Sequence, residues 1–288
     1  VPLAMLLVAP TVAQLAAMMF DGAQQLSSLM LVPVRLGTGT PIFLVHGVSG
    51  SVMDCWALID ALQCSRPVYG LQARGLDGEL PAQCRVEDMA ASYIEQIRSV
   101  QPVGPYAIAG YSFGGLVAFE IAQQLLRCGE RIEFLCLLDT YVDQRYLAWG
   151  TWLRLRYDSF VREWHRLQKL PASHRPVYLM RKLAGTADRM RHPSNRPAGT
   201  MSPTLLHVRE KMWKAMATYR PRPYEAGLIL YVRAAIEQMG LGDPMPLWRR
   251  VARGGLVIAE VPGNHNDMII EPNVQAVAGA LDRVLASL

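Results

Sequence analysis

Gly110-Tyr111-Ser112-Phe113-Gly114 is the stretch that decides the fold. Directly before it, Tyr106 to Ala109 is a short continuous apolar run, as a buried strand is; directly after it, Gly115 to Arg127 spaces its apolar residues as a helix does. A G-x-S-x-G pattern between a strand and a helix marks a tight reversal. The central residue is forced into a strained backbone conformation, and glycines two before and two after remove side chains that would collide. Such a turn holds Ser112 at the carboxyl edge of a sheet with its hydroxyl exposed.

Outward from this turn, short apolar runs alternate with helical patterns. Met30 to Leu36 reads as a strand, Gly37-Thr38-Gly39 as a turn and Ile42 to His46 as a second strand, so these two are expected to form an opening hairpin. Further strands are expected at Val68 to Leu71, Ile132 to Leu138, Leu228 to Val232 and Leu256 to Val261. Helices are expected at Val86 to Val100, Leu247 to Ala252 and Val274 to Leu285. Strands alternating with helices of this length imply right-handed crossovers and a mostly parallel sheet flanked by helices on both faces. The fold class is α/β. The alternation breaks over 141–224, which is helical in pieces and holds four of the six tryptophans. A helical insertion placed after a strand end is expected to act as a lid over the edge where open α/β sheets bind ligands.

Composition bounds the function. Hydrophobic residues make up 51% of the 288 positions and charged ones 18%, which excludes a disordered chain. The net charge is only +5, but 141–225 carries 17 Lys and Arg against 6 Asp and Glu, so the basic charge belongs to one internal segment. Nothing else supports a nucleic-acid partner, and none is expected. Five cysteines without a C-x-x-C spacing fit neither a disulfide framework nor a zinc site. A reducing cytoplasm and no metal are the expectation. The first 20 residues are uncharged, yet no basic stretch precedes the apolar run, and Pro10, Thr11 and Gln14 interrupt it. A short amphipathic helix from Val12 to Phe20 is expected there, without export or membrane insertion.

A serine hydroxyl is protonated at neutral pH, so Ser112 needs a base within hydrogen-bond reach, and that base needs an acid to orient it. His265, in Pro262-Gly263-Asn264-His265-Asn266, follows the last apolar strand and returns to the same sheet edge. His165, His174, His192 and His207 fall in the basic insertion, and His46 ends an early strand as a structural residue. Two acids compete for the third position. Asp139 ends the strand Ile132 to Leu138 and is favoured; Asp243, with Glu237 close by, follows the next strand. Both satisfy the chain order Ser, acid, His, so order does not decide between them. Acyl transfer also needs N–H donors for a developing oxyanion. His46-Gly47-Val48-Ser49-Gly50 supplies a glycine-bearing loop after the second strand, so the backbone N–H groups of Val48 and Phe113 are the expected pair.

Together these residues resemble the type I thioesterase domains that end nonribosomal peptide synthetases, hybrid polyketide synthases and animal-type fatty acid synthases. The likeness spans Pro41 to Asp139 and Tyr224 to Leu288. It rests on Phe43-Leu44-Val45-His46-Gly47, Gly110-Tyr111-Ser112-Phe113-Gly114-Gly115, Leu137-Leu138-Asp139 and Val261-Pro262-Gly263-Asn264-His265. The resemblance implies an α/β-hydrolase fold, supports Asp139 as the acid, and places an acid where this chain has Asn264. It also implies a substrate delivered as a thioester on the phosphopantetheine arm of an upstream acyl or peptidyl carrier domain, with no bound cofactor. The GYSFGG form leans toward peptide or hybrid products. Residues 1–22 look like the end of such a carrier domain, without its attachment serine, so the thioesterase domain is expected over 30–288 with its lid at 141–224. The basic lid is expected to face an acidic carrier. Two rival readings stand beside this one: a stand-alone esterase or editing thioesterase, and an inactive scaffold that binds ligands.

Overall fold

Among the described residues, seven strands form one sheet: β1 (Leu31–Arg35), β2 (Ile42–Val45), β3 (Val68–Leu71), β4 (Tyr106–Tyr111), β5 (Ile132–Leu138), β6 (Ile229–Ile236) and β7 (Leu256–Asn264). Their order is β1-β3-β2-β4-β5-β6-β7, with β1 antiparallel to β3 and every other pair parallel. The computed structural model describes residues 11–13, 30–78, 80–142, 202–236 and 243–288. Apart from Ser202 these belong to one unit of the chain.

Side-chain alternation along the central strands builds two cores, one on each face of the sheet. Phe43, Val45, Tyr106, Ile108, Leu135 and Leu137 face one side, where they meet α2 (Val86–Val100), α3 (Phe113–Arg127), α4 (Pro203–Thr218) and α5 (Met245–Val251). Ile42, Leu44, Ala107, Ala109, Cys136 and Leu138 face the other side, against α1 (Trp56–Ala61) and α6 (Val274–Leu285). β4 is buried at all six positions, as the central strand of a sheet covered on both faces must be. Because β2, β4, β5, β6 and β7 run parallel, their carboxyl ends share one edge. The chain leaves that edge at 46, 112, 139 and 265.

The expected opening hairpin is not formed. β3 lies between β1 and β2, and β1 pairs with β3 through Leu31↔Leu71 and Val32↔Gly70. The reason is a set of bonds to the end of α1 and the segment after it. The Arg35 guanidinium donates to the carbonyls of Ile59, Leu62, Cys64 and Arg66, and the Thr38 N–H donates to the Ser65 carbonyl at 2.8 Å. A Cβ at Gly37 would collide with the backbone of Ser65, so this glycine serves a close approach rather than a hairpin turn. α1 and the 3-10 turn before it (Val52–Cys55) were not expected from the sequence. β7 runs three residues past the expected Val261, because Asn264 pairs with Ile236 across a bulge.

Of the expected lid, residues 143–201 lie outside the described residues; its described end holds α4, which buries Val208, Met212 and Ala215 in the same core as α3. The expected carrier remnant at 1–22 lies outside the described residues except for 11–13, of which Val12 and Ala13 are helical. No helix among the described residues is long and apolar enough to cross a membrane. All five cysteines are free thiols.

Candidate active site

Ser112 joins β4 to α3 with φ +56°, in the left-handed region that L-residues avoid. Several contacts enforce that conformation. The Ser112 N–H donates to the Leu138 carbonyl at 2.8 Å, which ties the turn to β5, and its carbonyl accepts from the Gly115 N–H at 3.1 Å to start the helix. A Cβ at Gly110 would run into the Gly114 carbonyl, and one at Gly114 into the His46 carbonyl. The glycines of the pentapeptide are therefore required by backbone packing. A third, Gly115, is required by a side chain: a Cβ there would collide with Thr140.

The imidazole of His265 bridges Ser112 and Asp139. Its Nε2 lies 2.8 Å from Ser112 Oγ and accepts from the hydroxyl, while its Nδ1–H donates to Asp139 Oδ2 at 2.8 Å. Asp139 is 1% exposed and His265 8%, so the bond between them is shielded from water, while the bond to the half-buried Ser112 is only partly so. Asp139 also has positive φ, +43°. Its N–H donates to the Val232 carbonyl at 2.7 Å, and its Oδ1 accepts from the Ala234 N–H at 3.2 Å. Asp243 is engaged elsewhere. Its Oδ1 accepts from the Met245 N–H at 3.0 Å at the start of α5 and lies 4.0 Å from an Arg233 nitrogen. The geometry thus brings Asp139, and not Asp243, to the imidazole; Glu237 lies outside the described residues.

Three groups around His265 were not found by sequence reasoning. Tyr111 stacks on its ring, with centroids 5.2 Å apart and planes 19° from parallel, and donates its hydroxyl to the His265 carbonyl. Burial pushes the Tyr111 phenol far above its ordinary range, so it stays a donor. Tyr141 meets the ring edge-on at 5.5 Å. Asp267 organises the loop: its carboxylate accepts from the Asn264 N–H and side-chain amide, and Asn264 Oδ1 accepts from the Asn266 N–H at 2.9 Å. Asn264 stands where the resemblance places an acid, and an acid three residues on bonds to it. An Asn-x-x-Asp turn after a strand is the signal that would have found this pair.

Val48 is half-buried in the loop after β2, which turns through a Gly50 N–H to Gly47 carbonyl bond of 3.1 Å, and Phe113 is the first residue of α3. His46, at the start of that loop, is fully buried, donating Nδ1–H to the Gly47 carbonyl and accepting the Tyr93 hydroxyl on Nε2 at 2.7 Å. Burial lowers its pKa to about 4, so it stays neutral. His207 is exposed on α4, and His165, His174 and His192 lie outside the described residues. Among the described residues no cluster of His, Cys, Asp and Glu is arranged to hold a metal ion.

A hydroxyl bonded to an imidazole that is itself bonded to a buried carboxylate is able to lose its proton as it attacks a carbonyl. Residues 40–285 match the family model of the thioesterase domain. The chain is 38% identical to malpibaldin synthetase of Mortierella alpina over half of its own length, and 43% identical to a dimodular nonribosomal peptide synthase of Bacillus subtilis over 46% of its length. It spans only 3% and 6% of those two relatives. Among solved structures, the NocB thioesterase domain in covalent complex with a fluorophosphonate nocardicin G analog superposes with a TM-score of 0.58 at 24% identity, covering 86% of this chain and 96% of that one. That likeness carries the fold, an α/β-hydrolase sheet flanked by helices, and the family match carries the assignment: the chain belongs to the thioesterase domain family.

Proposed function

We propose that this domain terminates the synthesis of a peptide or hybrid peptide–polyketide chain. It takes the acyl or peptidyl group from the phosphopantetheine thioester of an upstream carrier domain onto Ser112 and then releases it. The observation that carries this reading is the hydrogen-bonded run from Ser112 through His265 to Asp139. In the first half-reaction Ser112 Oγ attacks the thioester carbonyl while His265 Nε2 takes its proton. The N–H groups of Val48 and Phe113 hold the oxyanion, each such donor being worth about 10²- to 10³-fold in rate. The carbon–sulfur bond breaks, and the thiol leaves with the proton from His265. An acyl-O-Ser112 ester remains. In the second half-reaction His265 takes a proton from water, or from a hydroxyl or amine of the chain itself, as that oxygen or nitrogen attacks the ester carbonyl. The bond to Ser112 Oγ then breaks, His265 returns the proton to Oγ, and a free acid, lactone or lactam leaves.

Membership of the thioesterase family and the hydrolase fold support the hydrolytic chemistry, and likeness to a nonribosomal peptide synthase supports the carrier-bound substrate. Under this reading residues 1–22 are the end of a carrier domain and 30–288 the thioesterase domain with its lid at 141–224. The basic charge of 141–225 supports docking of an acidic carrier, with transfer that slows as salt screens the attraction. The free thiols support a cytoplasmic protein.

The test is release from a carrier domain loaded with an acyl-phosphopantetheine thioester, with the product identified by mass spectrometry. Free acid, lactone or lactam should form faster from the carrier than from a small ester of the same acyl group, and Ser112→Ala should abolish it. Release that does not need Ser112, or that prefers the small ester, would contradict the proposal.

A further inference from the structure

We infer that Tyr231 and Trp248 are positioning residues for the acid of the release site, acting together through one main-chain carbonyl, that of Thr140. The inference rests on the reading of Asp139 as that acid. Asp139 holds a positive φ, which a non-glycine residue keeps only where its surroundings over-determine it. On its amino side the constraint is the bond from its own N–H to the Val232 carbonyl. On its carboxyl side the chain is fixed one residue later. The Thr140 carbonyl accepts from the Tyr231 hydroxyl and from Trp248 Nε1–H, both at 2.9 Å.

Two donors on one carbonyl occupy both of its lone pairs and set the plane of the peptide between Thr140 and Tyr141. With the peptides before Asp139 and after Thr140 both fixed, the short span between them has little freedom left. The same peptide plane aims the next residue, Tyr141, whose ring meets His265 edge-on. One clamp therefore sets the carboxylate on one side of the imidazole and an aromatic edge on the other.

The donors come from a paired strand and a packed helix. Tyr231 lies on β6, paired with Leu137 of β5, so its ring stands beside the strand end that Asp139 follows. Trp248 lies on α5 and packs against Phe119 of α3 at 5.2 Å. Neither ring has any solvent exposure, so water does not replace a lost bond. The Thr140 side chain adds a third restraint by filling the space above Gly115.

The experiment uses the 288-residue chain and a fluorophosphonate probe, whose reaction with Ser112 does not depend on the natural acyl group. Labelling rates are measured for Tyr231→Phe and Trp248→Phe, each alone and combined with Asp139→Asn, alongside melting temperatures. Each single substitution should slow labelling about tenfold or more, as displaced reacting groups do. In the Asp139→Asn background the same substitutions should change the rate by less than about twofold, because the group they position is already disabled. A single substitution that labels at the wild-type rate, or a slowing that is undiminished in the Asp139→Asn background, would overturn the inference. Tyr231→Phe removes a single oxygen and decides the question alone if Trp248→Phe does not fold. Wild-type labelling by Asp139→Asn itself would instead overturn the reading of Asp139 as the acid, and is read separately from the clamp.

Discussion

Tyr111 holds His265 by two bonds of different kinds, a ring stack at 5.2 Å and a hydroxyl that donates to the histidine carbonyl. One fixes the plane of the imidazole and the other fixes the backbone that carries it. Tyr111→Phe keeps the stack and loses the hydrogen bond, whereas Tyr111→Leu loses both. Turnover of an acyl thioester of N-acetylcysteamine should fall about tenfold in the first variant and about 10²-fold in the second. The fall should be in kcat, with KM little changed, since neither group contacts the acyl chain in this account. Equal activity of Tyr111→Phe and wild type would show that the stack alone positions the ring.

The second half of the glycine pattern makes a stability prediction. A methyl group at Gly115 collides with the Thr140 side chain, so Gly115→Ala should destabilise the chain by about 1–3 kcal/mol, the usual range for overpacking. Removing the wedge should undo much of this. Gly115→Ala with Thr140→Ala is expected to recover most of the lost urea midpoint, and two losses that simply add would show that the collision is not the cause.

His46 predicts a pH dependence of stability. Its pKa is lowered by burial from 6.5 to about 4, so the unfolded chain takes up a proton there before the folded chain does. Stability present above pH 6.5 is lost as pH falls toward 4, by about 3 kcal/mol from this residue alone. Urea unfolding at about pH 7 and about pH 4.5 should therefore show a smaller difference in His46→Gln than in wild type. The same difference in both chains would assign the acid sensitivity to other groups.

Much of the frame was legible because local signals and burial agreed. α2, α6 and β5 lie where periodicity put them, and the reversal at Ser112 was marked by glycines whose absent side chains the backbone needs. The opening hairpin failed for the opposite reason. Gly37-Thr38-Gly39 carries a turn signal, but the partner of β1 is selected by bonds from Arg35 and Thr38 to residues 59–66, which no local pattern announces. Asp139 and Asp243 were equivalent in chain order; its place at the end of an apolar strand and the family resemblance favoured Asp139, and the position of each carboxylate agrees with that choice. The aromatic donors at the site were illegible because they act across the chain. Tyr111 bonds a residue 154 positions away, and Trp248 bonds one 108 positions away. Their sequence signal is an aromatic residue in an apolar run, which is also what a plain core looks like.

The central claim is that an acyl group rests on Ser112 between arrival and release. Its most direct measurement is intact-protein mass spectrometry of the chain quenched during turnover of an acyl thioester, followed by mapping of the modified peptide. The account predicts a mass increase of one acyl group on the peptide containing Ser112, absent in Ser112→Ala. Acylation of another residue, or turnover by Ser112→Ala within about tenfold of wild type, would contradict it.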